Sequence, residues 1–239
     1  MEAGKTRDMN TFTLAEIALN FPHSIKNLIH YDLDFCCNGK TSFVKACEAI
    51  DLNADQIWNE IIEQDAKIDS DSPMHFITWD PGLLINFIIQ HHHDEVKKTI
   101  PHILELLDKV CNVHGEDNGF LIAVREDFEK LSEQLMHHFP KEEEILFATI
   151  RTLFNRSAEK SNRSVAQDDL AVLITMIEQE HERAGSLLKS IRTLTSNYEP
   201  PTFACPTLRM TYVMLNQFDT DLMQRIHIEN NILLPKVKG

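Results

Sequence analysis

The segment HHFPKEEEILF, residues 137–147, decides how this chain is read. Upstream of it Leu121, Val124, Phe128, Leu131 and Leu135 recur at steps of three and four, which is the period of one helix face. The same stripe continues through His138, Glu142 and Ile145. Four residues turn an α-helix by about 400°, so the side chains of His138 and Glu142 stand about 40° apart and reach a common point. An imidazole and a carboxylate are therefore expected on an inward face, where apolar side chains belong.

Three more segments repeat the pattern. Together with residues 118–154, the segments 81–112, 167–196 and 205–234 predict four long helices separated by Gly-, Asn-, Ser- or Pro-containing breaks, the count of a four-helix bundle. Pro101 and Pro140 fall inside them and are expected to kink them, since proline removes a backbone donor and crowds the preceding turn. The first stripe is Ile85, Ile89, His93, Val96, Ile100, Ile103, Leu107; the third is Leu170, Leu173, Ile177, His181, Ala184, Leu188, Ile191. The fourth runs Leu208, Tyr212, Leu215, Phe218, Leu222, Arg225, Glu229, Ile232. An unpaired buried imidazole costs on the order of 1–3 kcal/mol and a lone carboxylate more. Inward histidines on three helices and glutamates on two need one shared partner, and a metal ion supplies it. Nitrogen and oxygen donors without thiolate favour iron or manganese over structural zinc, with iron the first choice. The runs Lys141–Glu144 and Glu178–Glu182 are read as solvated faces apart from Glu142 and His181, with Glu180 and Glu182 placed to line a polar channel.

The rest of the 239 residues agrees with an all-α chain. Hydrophobic residues make up 43%, with 7 glycines and 9 prolines, so a large core and long helices are expected. A net charge of −14 without any basic stripe excludes a nucleic-acid footprint. No apolar run reaches the ~20 residues of a membrane span, and MEAGKTRDMN is no signal peptide, so no membrane role and a cytoplasmic location are expected. The 5 cysteines are read as thiols.

Ahead of the bundle, residues 1–67 read as a small helical domain. Thr13 with Glu16 signals a capping box, Ser24 caps a segment from Ile25 to Tyr31, and helices follow from Ser42 to Ile50 and from Ala54 to Lys67 with Asn53 as cap. Between them lies DLDFCCNGK, residues 32–40, with an Asn-Gly turn and the adjacent Cys36 and Cys37. Residues 68–80 read as a linker and 81–239 as the bundle domain.

On the motifs YDLDFCCNGK (31–40), HHHDEVKKTIPHI (91–103), HHFPKEEEILF (137–147), IEQEHERAG (177–185) and IENNILLP (228–235), the chain resembles the hemerythrin-like family, and more closely its iron-sulfur cluster repair di-iron branch. The resemblance spans nearly the whole chain, and the Cys-Cys module distinguishes this branch from oxygen carriers. It implies two irons, with His93, His138 and His181 as terminal ligands and Glu142 and Glu229 as bridges. Three positions depart from the pattern: Ala148 stands for a proline and Leu234 for a phenylalanine, neither touching the implied ligands, and Arg225 stands where the family has a histidine, which puts the second metal in doubt, because arginine stays protonated. Arg225 is expected to pair with Glu229 or Glu142 and to stand in for a cation's charge. His227, two residues before Glu229, is turned away by an undistorted helix and reads as a surface or outer residue, whereas a π-bulge would rotate it inward. Implied functions are donation of iron to clusters damaged by oxidative or nitrosative stress, or reduction of nitric oxide. Alternatives are an oxygen or nitric oxide sensor and a metal-free interaction module. Iron-sulfur proteins are the expected partners and a homodimer a further expectation. Cys36 and Cys37 would contact targets, accept iron or cycle redox equivalents.

Overall fold

The computed structural model describes residues 9–67, 76–155 and 163–238. Every regular element among them is helical, and the one β feature is an isolated bridge between Thr13 and Ser42.

The N-terminal module holds α1 (Leu14–Asn20), α2 (Ile25–His30), α3 (Phe43–Ala49) and α4 (Ala54–Lys67). The Thr13–Glu16 capping box forms: Thr13 Oγ1 accepts from the Glu16 N–H at 3.3 Å, and Glu16 Oε2 accepts from the Thr13 N–H at 2.8 Å. Asn53 Oδ1 likewise accepts from the Gln56 N–H at 3.1 Å and starts α4. Ser24 does not cap. It closes the 3₁₀ turn Pro22–Ser24 with its own backbone already helical, so its hydroxyl cannot reach forward to the first free N–H groups. The Asn38-Gly39 turn folds the cysteine loop back onto α1, with Gly39 and Thr41 carbonyls accepting from the Ala15 and Leu14 N–H groups at 2.8 and 2.9 Å.

The bundle is made of four rods, three of which change winding part-way. The first is α5 (Pro81–Phe87), a π-helical turn Ile88–His93 and α6 (Asp94–His114). The second is α7 (Gly119–Pro140), a π-helical turn Lys141–Leu146 and α8 (Phe147–Asn155). The third is the uninterrupted α9 (Arg163–Leu194). The fourth is α10 (Pro206–Ile228), a π-helical turn Glu229–Leu233 and α11 (Leu234–Lys238). A π turn holds an extra residue, so it shifts the inward stripe by one position. Ile88 rather than Ile89 is therefore buried behind His93, and Leu146 rather than Ile145 follows Glu142; Ile145 is 52% exposed. The helix runs on through Pro101, and Pro140 ends α7 where the π-helical turn begins.

Three clusters of buried apolar side chains result, a small one of Val110, Leu121, Leu208 and Tyr212 and two large ones. One of the large ones joins the module to the lower bundle, with Phe21, Phe35 and Phe43 packed in the same core as Ile103, Phe128 and Leu188. The other, at the far end, contains Ile85, Ile88, Phe147, Ile174, Ile232 and Leu233. Residues 68–75 of the expected linker lie outside the described residues. The adjoining Phe76–Thr78 turn is packed, with Phe76 and Trp79 closing on Phe87 at ring separations of 5.0 and 5.5 Å.

Candidate metal centre

Between the two large apolar clusters lies a buried polar layer containing His93, His138, Glu142, His181, Arg225 and Glu229, none more than 4% exposed. Each π-helical turn contributes one of them: His93 ends the first, Glu142 is second in the second, and Glu229 opens the third. The winding change aims these side chains at one point, in keeping with the tendency of π turns to mark functional sites.

Each histidine is held from behind. His93 Nδ1 lies 2.9 Å from Glu143 Oε1, His138 Nδ1 lies 2.7 Å from Glu180 Oε2, and His181 Nδ1 lies 2.8 Å from Asn230 Oδ1. Donation from Nδ1 to these acceptors leaves Nε2 of each ring facing inward, the arrangement by which outer partners orient metal-binding imidazoles. His138 and His181 bring their Nε2 atoms to 3.0 and 3.3 Å from Glu142 Oε1, and His181 Nε2 lies 3.1 Å from Glu229 Oε2. The two Nε2 atoms are 3.2 Å apart. Both Glu229 oxygens are buried without a hydrogen-bond partner among the described residues. Donor atoms of His138, Glu142, His181 and Glu229 all lie within 4.8 Å of one another. Lone pairs converging in this way need a cation, and this nitrogen and oxygen set suits iron.

Charge is distributed accordingly. Burial opposes ionisation of Glu142, yet His138, His181 and His93 hold its carboxyl well below the usual range. Glu229, also opposed by burial, is lowered to about 2, chiefly by the Arg225 guanidinium. Burial pulls His181 down, but Glu142 and Glu229 outweigh it and raise the imidazole to about 10. His93 is subject to opposing influences. Burial and Arg225 lower it while Glu142 and Glu229 raise it, to about 9 on balance. Arg225 Nη1 stands 3.1 Å from His93 Nε2 and Glu142 Oε2 stands 3.2 Å from the same atom, so a guanidinium and a carboxylate both face this ring nitrogen.

The neighbouring histidines have other tasks. His92 bonds Asp221 at 2.9 Å, and His91 lies against the Phe87 ring at 4.7 Å. His227 is not a surface residue. It is 3% exposed, edge-on to Phe35 at 5.5 Å, with Nδ1 accepting from Asn231 Nδ2 at 3.1 Å, and burial lowers it to about 4. The π turn of its rod starts after it, so the helix still turns it away from the centre and toward the N-terminal module.

Cys36 and Cys37 sit where the module meets the bundle. Their Sγ atoms are 3.3 Å apart, and Cys36 Sγ lies 3.6 Å from Met223 Sδ and 3.3 Å from Asp34 Oδ1. Contact with the Cys37 thiol, with burial, pushes Cys36 well above the ordinary thiol value. The same Asn230 that orients His181 donates through Nδ2 to the Cys36 carbonyl at 3.2 Å, and Asn231 Nδ2 joins it at 3.1 Å. The cysteine loop and an inward histidine thus share one side chain. A cavity of about 380 Å³ opens onto His138, His181, Lys141, Glu180 and Arg225.

Glu143 and Glu180 are not plain members of solvated runs, and Asn230 was not foreseen as an orienting group. A signal for them existed: each is adjacent in sequence to an inward carboxylate or imidazole, Glu143 to Glu142, Glu180 to His181, Asn230 to Glu229. Each serves a histidine on another rod.

Both the bundle and the module match known families. Residues 84–237 match the Hemerythrin HHE cation binding domain, and residues 11–65 match a domain of unknown function, DUF542. A probable iron-sulfur cluster repair protein of Haemophilus influenzae is 32% identical over 94% of this chain and 95% of its own. The iron-sulfur cluster repair protein YtfE of Yersinia pseudotuberculosis is 31% identical over 96% of this chain and 97% of its own. No helix among the described residues is long and apolar enough to cross a membrane. By its match and its relatives, this chain belongs to the hemerythrin HHE cation-binding family, in the company of its iron-sulfur cluster repair proteins.

Proposed function

We propose that the chain repairs iron-sulfur clusters damaged by oxidative or nitrosative stress, holding iron in the buried polar layer and giving it up to a damaged client protein. The observation that carries this is the pair of inward Nε2 atoms on His138 and His181, fixed from behind by Glu180 and Asn230, beside two buried carboxylates. His138, His181, Glu142 and Glu229 would hold the metal, and the likeness to iron-sulfur cluster repair proteins suggests the client class. Bound iron would contribute a Lewis acid with a one-electron Fe(II)/Fe(III) couple. The chain's own part is to keep Glu142 and Glu229 ionised, to hold Nε2 of His138 and His181 toward the centre, and to limit water access through the surrounding apolar side chains. The cavity at His138 and His181 gives iron or a small molecule a way in. Cys36 and Cys37, tied to His181 through Asn230, are the thiols proposed to receive outgoing iron or touch the client. The proposed domain division is 1–67, 68–80 and 81–239, and the proposed setting is the cytoplasm, with iron-sulfur proteins as partners, no nucleic acid or membrane, and a homodimer as the assembly to check.

The test is reactivation of a cluster-dependent hydratase inactivated by peroxide. Iron-loaded protein is expected to restore activity beyond an equal amount of free Fe(II), while His138→Ala, which takes up no iron at this centre, does not. Equal restoration by free Fe(II) and by the loaded protein would end the repair reading. A second reading, reversible binding of oxygen or nitric oxide, is favoured by the same cavity. A stable nitric oxide complex that transfers no iron would select it. A metal-free interaction module fits less well, since Arg225 makes its contacts on the His93 side while Nε2 of His138 and of His181 converge to 3.2 Å beside Glu142.

A further inference from the structure

We infer that the guanidinium of Arg225 occupies the place of a second cation, so that the centre is built for one iron and His93 ligates none. This rests on the iron-holding reading above and specifies its stoichiometry and its chemistry.

Both carboxylates face two ways. Glu142 Oε1 points at His138 and His181, at 3.0 and 3.3 Å, while Glu142 Oε2 points at Arg225 Nη1 at 3.3 Å and His93 Nε2 at 3.2 Å. Glu229 Oε2 points at His181 at 3.1 Å, while Glu229 Oε1 lies 3.7 Å from Arg225 Nη1 and 3.8 Å from His93 Nε2. The layer thus has two adjoining positions that share a pair of carboxylates. One is bounded by His138 and His181. The other would be bounded by His93, but Nη1 of Arg225 already makes the contacts a metal would make there: His93 Nε2 at 3.1 Å and one oxygen of each glutamate.

The occupant is a permanent cation. Arginine stays protonated at any pH a protein survives, so it neutralises the shared carboxylates without being displaced by a proton equilibrium. It is also fully buried, with its guanidinium carbon 5.1 Å above the Phe139 ring, and Phe139 stacks on His93 at 4.4 Å. Nε and Nη2 have no hydrogen-bond partner among the described residues, so Nη1 and the aromatic face define where the group sits. A divalent ion entering this position would have to expel a buried charge from its best partners. The four groups left for iron are the four whose donor atoms cluster within 4.8 Å, and His93 is absent from that set.

The chemistry follows from electron count. Coupling two nitric oxide molecules, 2 NO + 2 e⁻ + 2 H⁺ → N₂O + H₂O, consumes two electrons, and one Fe(II) oxidised to Fe(III) supplies one. A one-iron centre therefore fits iron donation and does not complete that reduction from its own electrons. Sharing its carboxylates with a guanidinium also weakens the hold on the single ion, which suits a donor.

The experiment uses the full chain, loaded anaerobically with excess Fe(II), freed of unbound metal and assayed for iron per chain, then oxidised and examined by electron paramagnetic resonance. The expected result is one iron per chain and the signal of an isolated high-spin ferric ion, with no loss of iron in His93→Ala. Arg225→His is expected to bind two irons and to lose that signal through coupling between them. Two irons in the unaltered chain, or loss of iron in His93→Ala, overturns the inference and leaves the iron-holding reading intact. No iron in the unaltered chain overturns both. The unaltered chain and His93→Ala decide the matter even if Arg225→His does not fold.

Discussion

Replacing Gly39 by alanine tests how the cysteine loop is seated. A Cβ on Gly39 would lie 2.6 Å from the Phe35 carbonyl oxygen and 2.8 Å from both Ala15 Cβ and Asn231 Oδ1. Two of these neighbours cannot swing aside: the carbonyl belongs to the loop backbone, and Ala15 is buried in α1. Relief needs the loop to lift, which would stretch the Ala15 N–H bond to the Gly39 carbonyl and the Asn231 bonds to Phe35 and Cys36. Overpacking of this kind costs about 1–3 kcal/mol. For a chain of this size each kcal/mol moves the melting temperature by about 2–4 °C, so a drop of about 2–12 °C is expected. The measurement is thermal unfolding followed by circular dichroism on metal-free protein, which keeps metal binding out of the comparison. Gly119→Ala is the control. A Cβ there meets nothing, and alanine in place of glycine in a helix stabilises by up to about 1 kcal/mol, so this variant should melt no lower than the parent. Gly39→Ala melting with the parent would refute the seating of the loop against α1 and the fourth rod.

Further outcomes are expected on the same grounds. In metal-free protein His181 is raised from its ordinary value to about 10, so its stabilising contribution is complete below about pH 6.5 and falls as pH rises toward about 10; urea midpoints should decline over that window, and midpoints rising across it would contradict the ion pairing with Glu142 and Glu229. Among the thiols, N–H groups at the start of α10, led by that of Leu208, and His114 lower Cys205, while burial raises Cys47 to about 11. Mass spectrometry after brief alkylation near neutral pH should find Cys205 modified well before Cys47, and the reverse order would contradict these surroundings. Glu180→Ala and Asn230→Ala remove partners of His138 and His181 and should each weaken iron binding by about 10–100-fold, measured by chelator competition, with little change in helix content. Unchanged affinity in both would mean that the outer partners do not orient the rings.

Much of this centre was readable because buried polar groups interrupt an apolar period. His93, His138, Glu142, His181 and Glu229 each fall on a stripe of Leu, Ile, Val and Phe, and the structure brings all five into one layer. The three π-helical turns were not readable, since one extra residue in a helix leaves no compositional mark. That is why regular helical spacing puts Ile145 and Ile89 on the inward face when their neighbours Leu146 and Ile88 hold it. Partners from another rod were equally hidden: nothing in helical spacing connects Glu143 to His93 or Glu180 to His138. Arg225 was visible as a cation on an inward stripe, but only the placement of rods one, two and four shows its Nη1 between His93 and both glutamates. His227 was turned the right way by helical geometry, yet its burial depends on Phe35 from the N-terminal module, which that geometry does not contain.

The polar layer separates two apolar clusters that otherwise share the same rods. In effect the bundle is two oil drops threaded on common helices, with a charged membrane of side chains between them. An ion bound in that layer fastens both halves at once, because its four holders come from the second, third and fourth rods. Without it, the far drop is free to open as a unit of its own, below the free energy of global unfolding. Amide exchange in α5, α8 and α11 would then report the ion's presence more directly than exchange in the lower bundle, where the N-terminal module adds its own apolar weight.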